Sequence, residues 1–149
     1  MCMVYFLGTG REAPILDTWT ESSPRFYVSE PQPEELNGVQ TNLALPFVRY
    51  LGAYTGCGCG FRSIPRDGTR GDPEDPAATQ SDHESLVRYL REVHAENQSA
   101  QIYGCWSGEE SQPAEQHRTI EVSEIASPHF AFRERELLTV TPDRPSDTR

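Results

Sequence analysis

The feature that most constrains the fold of this sequence is a helix pattern between two strand-like segments. We predict one main helix over residues 82–96, because apolar residues recur there at helical spacing after a capping-box pair formed by Ser81 and Glu84. Apolar segments at 45–54 and 101–107 are typical of strands. If both strands lie in one sheet, the right-handed crossover through the helix makes them point in the same direction.

The remaining segments complete an α/β or α+β domain with a mixed sheet of about four to six strands. The unbroken apolar run from Cys2 to Gly8 is typical of a central strand that is covered on both faces. Further strand candidates lie at 26–28, 119–125 and 130–140. With 149 residues, the chain is long enough to bury one ordinary core.

Two segments have no apolar periodicity and are expected to lie outside this core. Residues 62–80 are rich in Pro, Gly, Asp and Arg, which predicts a flexible loop, either a lid over a site or simply disordered. Residues 141–149 form a polar stretch that predicts a disordered tail. The single globular domain is therefore predicted to cover residues 1–140.

The charge of the chain excludes several classes of function. The net charge is −10, which argues against a nucleic-acid partner or an anionic membrane surface, because binding phosphate needs a basic patch. No apolar run approaches the roughly 20 residues of a membrane span. We therefore expect a cytoplasmic protein, in which the four cysteines stay reduced and are free, metal-bound or redox-active.

The most unusual segment is the turn Gly56-Cys57-Gly58-Cys59-Gly60, which directly follows the strand candidate at 45–54. Two thiols one residue apart can chelate a soft metal ion or form a disulfide with each other. Three glycines remove the Cβ atoms that would keep the backbone away from a ligand. The segment predicts a cysteine-centred site.

The strand–helix–strand unit predicts which other cysteines reach this turn. Cys105 lies near the carboxyl end of the second strand, at the same sheet edge as Cys57 and Cys59. If the first strand runs antiparallel to these two, Cys2 at its beginning joins the same edge. We therefore predict that Cys57, Cys59, Cys105 and Cys2 bind a soft divalent metal ion such as zinc, with His83 or His129 as other candidate ligands.

Two other kinds of function fit the same residues. In a cysteine-dependent enzyme, with redox or acyl-transfer chemistry, Cys57 or Cys59 would be the nucleophile. Either His83, at the start of the helix, or His129 would be the base. The backbone N–H groups of the glycine-rich turn would then stabilise an anion. In a protein-interaction domain without catalysis, the cysteines would be structural and the turn would only pack tightly.

Three segments together resemble a group of small bacterial proteins. In this chain the segments are Met1-Cys2-Met3-Val4-Tyr5, Val48-Arg49-Tyr50-Leu51-Gly52 and Gly56-Cys57-Gly58-Cys59-Gly60-Phe61. The proteins that they resemble have a Met-Cys opening and a Gly-Cys-Gly-Cys-Gly-Phe turn after a Tyr-Leu-Gly strand. The resemblance implies that the turn is important, but it implies no particular activity. Such proteins often have a histidine just before the turn, where this chain has Ala53-Tyr54-Thr55, so one candidate metal ligand is missing here.

Overall fold

The computed structural model describes residues 2–69, 73–94 and 98–144 of the chain. Within these ranges the chain forms strands and two α-helices, together with short 3-10 helices at Gly58–Gly60 and Val122–Ala126. In chain order the elements are β1 (Met3–Thr9), β2 (Tyr27–Ser29), α1 (Pro33–Val39), β3 (Phe47–Gly52), β4 (Ser63–Ile64), α2 (Pro76–Val93), β5 (Ala100–Trp106), β6 (Gln116–Glu121), β7 (Phe132–Arg133) and β8 (Glu136–Thr141).

The main sheet has six strands in the order β2-β3-β1-β5-β8-β6. Strand β1 pairs antiparallel with both β3 and β5, so these two strands point in the same direction on either side of it. Strands β6 and β8 are parallel, and β4 and β7 form a second, small parallel sheet. The structure therefore confirms a single-domain α+β fold with a mixed sheet and one main helix.

Helix α2 exists as predicted, but its predicted start is wrong. The helix begins at Pro76, and the side chain of Asp75 caps it by accepting a hydrogen bond from the Ala78 N–H at 3.0 Å. Proline is favourable at the first helical position, because its missing N–H has no helical partner there. Ser81 and Glu84 lie inside the helix, which ends at Val93.

The two segments predicted to lie outside the core contain regular structure at their ends. Strand β4 and the first turns of α2 lie within 62–80, while residues 70–72 fall outside the described part of the chain. Strand β8 continues to Thr141, and residues 145–149 of the predicted tail also fall outside it. Flexibility of the loop and disorder of the tail stay predictions.

Strand β1 carries side chains into apolar clusters on both faces of the sheet. Tyr5 and Leu7 belong to the larger cluster, which also contains Leu86 and Leu90 of α2. Residues on the other face of β1 belong to a smaller cluster with Val39 of α1. All seven residues of β1 are buried, as expected of a central strand. Its central position in the sheet determines the edge at which the cysteines lie.

Candidate functional site

The cysteine-rich turn follows β3 through a tight reversal of the backbone. Ala53 donates its N–H to the carbonyl of Cys57 at 3.0 Å, and Gly56 donates its N–H to the carbonyl of Ala53 at 3.0 Å. Gly56 has a φ of 83°, in the left-handed region that favours glycine. The chain then enters the 3-10 helix Gly58–Gly60, so that Cys57 and Cys59 lie at its start and within it.

Gly58 allows the turn to lie directly against the central strand. A Cβ atom at this position would lie 2.5 Å from a ring carbon of Tyr5 and 2.6 Å from the carbonyl oxygen of Met3. Any residue other than glycine would therefore push the turn away from β1. This close approach brings the two cysteines of the turn to the beginning of β1, where Cys2 lies.

The structure brings three of the four cysteines together at this edge. The Sγ atoms of Cys2, Cys57 and Cys59 all lie within 4.8 Å of one another. Cys2 and Cys59 are exposed, and Cys57 is half-buried. The antiparallel course of β1 between β3 and β5 produces this arrangement, because the beginning of β1 meets the ends of its two neighbours.

Hydrogen bonds hold two of the sulfur atoms. The Met3 N–H donates to the Sγ atom of Cys59 at 3.2 Å. The hydroxyl of Thr55 lies 3.7 Å from the Sγ atom of Cys57, within hydrogen-bonding distance for sulfur. Sulfur atoms that accept hydrogen bonds are better able to carry negative charge, because the donors stabilise the thiolate.

The two thiols of the turn, Cys57 and Cys59, do not ionise alike. Burial alone would raise the pKa of the Cys57 thiol, but hydrogen bonds from the Cys59 backbone and from the side chains of Cys2, Cys59 and Thr55 outweigh it, and the pKa is lowered. Burial, together with the neighbouring sulfur atoms of Cys57 and Cys2, raises the pKa of Cys59 to about 12, although the hydrogen bond from the Met3 N–H opposes this. Cys57 is therefore the more acidic thiol of this pair.

Cys105 does not belong to the three-sulfur group. Its side chain is fully buried in the smaller apolar cluster, with Val4 and Tyr103. It pairs with Val4 in the sheet, so it lies inside the edge, whereas Ser107 is the residue that donates its N–H to the carbonyl of Cys2 at 2.8 Å. Burial raises the pKa of the Cys105 thiol to about 12, which keeps it protonated. The prediction placed this residue at the correct edge, but it lies too far inside to join the other three.

His83 is also separate from the cysteines, and both of its ring nitrogens have backbone partners. The Arg62 N–H donates to Nε2 at 3.0 Å, and Nδ1 donates to the carbonyl of Ile125 at 2.9 Å. The ring is fully buried, and burial followed by the positive charge of Arg62 lowers its pKa to about 4. Because the Nε2 lone pair already accepts the Arg62 N–H, His83 is suited to hold the end of the turn against helix α2. His129 is exposed and is not part of the sulfur group either.

Three side chains that hold the turn in place were not identified as functional from the sequence. Asp82 is buried and accepts the Tyr54 N–H at 2.7 Å and the Phe26 N–H at 2.8 Å. The hydroxyl of Tyr27 donates to the carbonyl of Gly56 at 2.6 Å. Trp19 donates its indole N–H to the carbonyl of Tyr54 at 2.9 Å. For Asp82, the sequence contained one indication of a buried role, because its carboxylate lies on the same helix face as the apolar residues Leu86 and Leu90.

The arrangement can bind a soft cation. Tetrahedral zinc with sulfur ligands places neighbouring sulfur atoms about 3.8 Å apart, so the three side chains need only small rotations to surround one ion. The three donors come from two segments, Cys2 and the turn, and both segments are anchored to β1 or its neighbours. Sulfur is the donor atom that soft metal ions prefer.

Comparisons with family models, curated proteins and solved structures found no match to this chain. The resemblance to small bacterial proteins therefore stays a prediction. Among the residues that the structure describes, none of the helices combines the length and the apolar character needed to cross a bilayer.

Proposed function

We propose that the protein binds a soft divalent metal ion such as zinc through Cys2, Cys57 and Cys59. The observation that carries this proposal is the mutual distance of the three Sγ atoms, all within 4.8 Å. Three protein ligands leave a fourth position on zinc for water or an external ligand. This set of ligands contains three of the four cysteines predicted from the sequence. Cys105 is left out because its thiol is buried in the smaller apolar cluster.

The surroundings of the sulfur atoms support metal binding. Metal ligation requires thiolates, and the hydrogen bonds that lower the pKa of Cys57 make this sulfur ionise before Cys59. Binding of the ion to this first thiolate would favour loss of the protons from the other two. The N–H of Met3 and the hydroxyl of Thr55 then act as outer partners of the ligands, which orient the sulfur atoms and reduce their charge.

Metal analysis of protein purified without an affinity tag tests this proposal. We expect close to one equivalent of metal per chain after incubation with zinc and removal of the excess, and less than about 0.2 equivalents in Cys57→Ser, because two sulfur ligands hold zinc weakly. Cys105→Ala is the matched control and should retain the wild-type metal content, since its thiol lies outside the group. Wild-type protein with less than about 0.2 equivalents would reject the proposal.

A second candidate function is a cysteine-dependent enzyme with Cys57 as the nucleophile. The observation that favours it is the lowered pKa of this half-buried thiol. His83 cannot be its base, because both ring nitrogens already have partners. This function predicts that iodoacetamide labels Cys57 rapidly at pH 6 in the metal-free protein, and slow labelling there would count against it.

A further inference from the structure

We propose that the three-sulfur group is also an oxidation site, at which a hydroperoxide joins Cys2 to Cys57 in a disulfide and so prevents metal binding. The disulfide follows from the geometry of the sulfur atoms alone. Its effect on metal binding rests on the proposed function, and the experiment below separates the two.

The sulfur atoms are close enough to react and accessible to a small oxidant. Cys2 and Cys57 have Sγ atoms within 4.8 Å, and a disulfide bond needs about 2.05 Å. Cys2 is exposed and Cys57 is half-buried, so a small oxidant can reach both thiols from solvent. Cys105, by contrast, is fully buried among apolar side chains and stays reduced.

The fold disfavours the alternative bond between Cys57 and Cys59. A disulfide between residues two apart closes a small ring, so the backbone between them must adjust. The intervening Gly58 has no room to do so, because it lies against the Tyr5 ring and the Met3 carbonyl. The Sγ atom of Cys59 is also held by the N–H of Met3.

Cys2 has the freedom that Cys59 lacks. Its backbone is anchored, since its carbonyl accepts the Ser107 N–H at 2.8 Å, but its side chain is exposed and can rotate. Cys2 and Cys57 belong to different segments of the chain, so their disulfide closes no small ring. Rotation of the two side chains can therefore bring their sulfur atoms together while the backbone of the turn stays in place.

The reaction balances with hydrogen peroxide as the oxidant. One thiolate attacks a peroxide oxygen; the S–O bond forms, the O–O bond breaks, and the released hydroxide takes up the proton that the thiol had lost and leaves as water. The second thiol then attacks the resulting sulfenic acid, so that the S–S bond forms, the S–O bond breaks and a second water leaves. Two thiols are oxidised and one hydrogen peroxide is reduced to two waters. The remaining thiol, Cys59, cannot hold the metal ion alone.

A tryptic map of the metal-free protein distinguishes the possible products. Cleavage after arginine places Cys2 on the peptide that ends at Arg11, and Cys57 with Cys59 on the peptide 50–62. After one equivalent of hydrogen peroxide and alkylation of the remaining thiols, we expect the two peptides to be joined. The joined product should exceed the internal loop of peptide 50–62 by about tenfold, because the small ring is strained.

Single variants identify the sulfur atoms that are joined. Cys59→Ser should retain the joined peptides, whereas Cys57→Ser and Cys2→Ser should lose most of them. An internal loop as the main product, sulfinic acid without joined peptides, or loss of the link in Cys59→Ser would each overturn the proposal. Because the three thiols are exposed or half-buried, these substitutions leave the core intact.

The consequence for metal binding is measured separately on the same samples. The oxidised protein should take up less than about a tenth of the zinc bound by the reduced protein, and a reductant should restore uptake. If the reduced protein binds no zinc, the proposed function fails while the disulfide is still judged by the peptide map. If the oxidised protein, with its two peptides joined, takes up as much zinc as the reduced protein, then oxidation does not control metal binding.

Discussion

The turn Gly56–Gly60 has two sides that differ in almost every respect. Its outer side presents the sulfur atoms of Cys57 and Cys59, which are half-buried and exposed. On its inner side, Gly58 lies against the ring of Tyr5. Phe61, the first residue after the turn, is buried in the larger apolar cluster. One side carries reactive groups with little packing, and the other has close packing with few reactive groups.

The difference shows that the position of the site and its chemistry depend on different residues. Substitutions on the inner side should lower the free energy of unfolding, because they disturb packing and buried hydrogen bonds. Substitutions on the outer side should change ligand binding at little cost in stability. The following variants test this division, in order of decreasing effect on the free energy of unfolding.

Gly58→Ala should have the largest effect. The added Cβ would lie within 2.6 Å of both the Met3 carbonyl oxygen and the Tyr5 ring, and neither can move without shifting β1. We expect a loss of about 3 kcal/mol or more in urea unfolding. Gly10→Ala is the control, because its Cβ would meet only the flexible end of Gln98, at 3.3 Å. Equal stability of the two variants would show that the turn does not depend on this approach.

The buried ring of His83 should make stability depend on pH. Its pKa is about 4 in the folded protein and 6.5 when exposed, so the unfolded chain takes up the proton first as the pH falls. The contribution of the neutral ring to the free energy of unfolding is complete above pH 6.5 and is lost as the pH falls towards 4. The free energy of unfolding decreases by up to about 3 kcal/mol over this range.

Urea unfolding at several pH values, compared between variants, measures this contribution. His83→Gln should lose that part of the pH dependence. His129→Gln, at an exposed position, should keep the wild-type dependence of the free energy of unfolding on pH. A wild-type slope in His83→Gln would show that the ring does not titrate as described.

Asp82→Asn should have an intermediate effect. The two carboxylate oxygens accept the N–H groups of Phe26 and Tyr54, and asparagine would turn an N–H₂ group towards one of them. We expect a loss of about 2 kcal/mol, measured by chemical unfolding. Asp75→Asn on the same helix is the control and should cost less than about 0.5 kcal/mol, because asparagine also caps helices. A similar loss in both variants would argue against a special role for Asp82.

Cys57→Ser and Cys59→Ser should have the smallest effect on folding. Both side chains lie on the outer side of the turn, so we expect changes within about 0.5 kcal/mol in the absence of metal. Cys105→Ser is the matched control, and should cost about 1 to 2 kcal/mol because it places a hydroxyl in an apolar cluster. A larger loss at Cys57 than at Cys105 would reverse the comparison of the two sides.

The sequence predicted that Cys57, Cys59 and Cys105 lie near one edge of the sheet, and that Cys2 joins them if β1 runs antiparallel to its neighbours. The crossover rule oriented β3 and β5, and the short apolar run of β1 was recognisable as a central strand. These relations depend only on strand order and direction. The register of pairing depends on side-chain packing across the whole sheet. For this reason the position of Cys105, opposite Val4 and inside the edge, could not be predicted.

The buried polar residues of α2 could not be assigned from the sequence. Thr79, Asp82 and His83 share a helix face with Leu86 and Leu90, and all of them are buried. This spacing shows which face turns inward, but their hydrogen-bond partners come from distant segments. The sequence pattern does not predict the start of the helix at Pro76, because residues 62–75 have the composition of a loop, although Asp75 followed by Pro76 is a favourable helix start.

The hydrogen bond from the Met3 N–H to Cys59 links the sulfur atoms to the first residue of the central strand. An ion that draws electron density from this sulfur would weaken it as an acceptor and so alter this hydrogen bond. If an ion binds there, the amide proton of Met3 would report its presence from within the backbone, through its rate of exchange with deuterium and its NMR chemical shift.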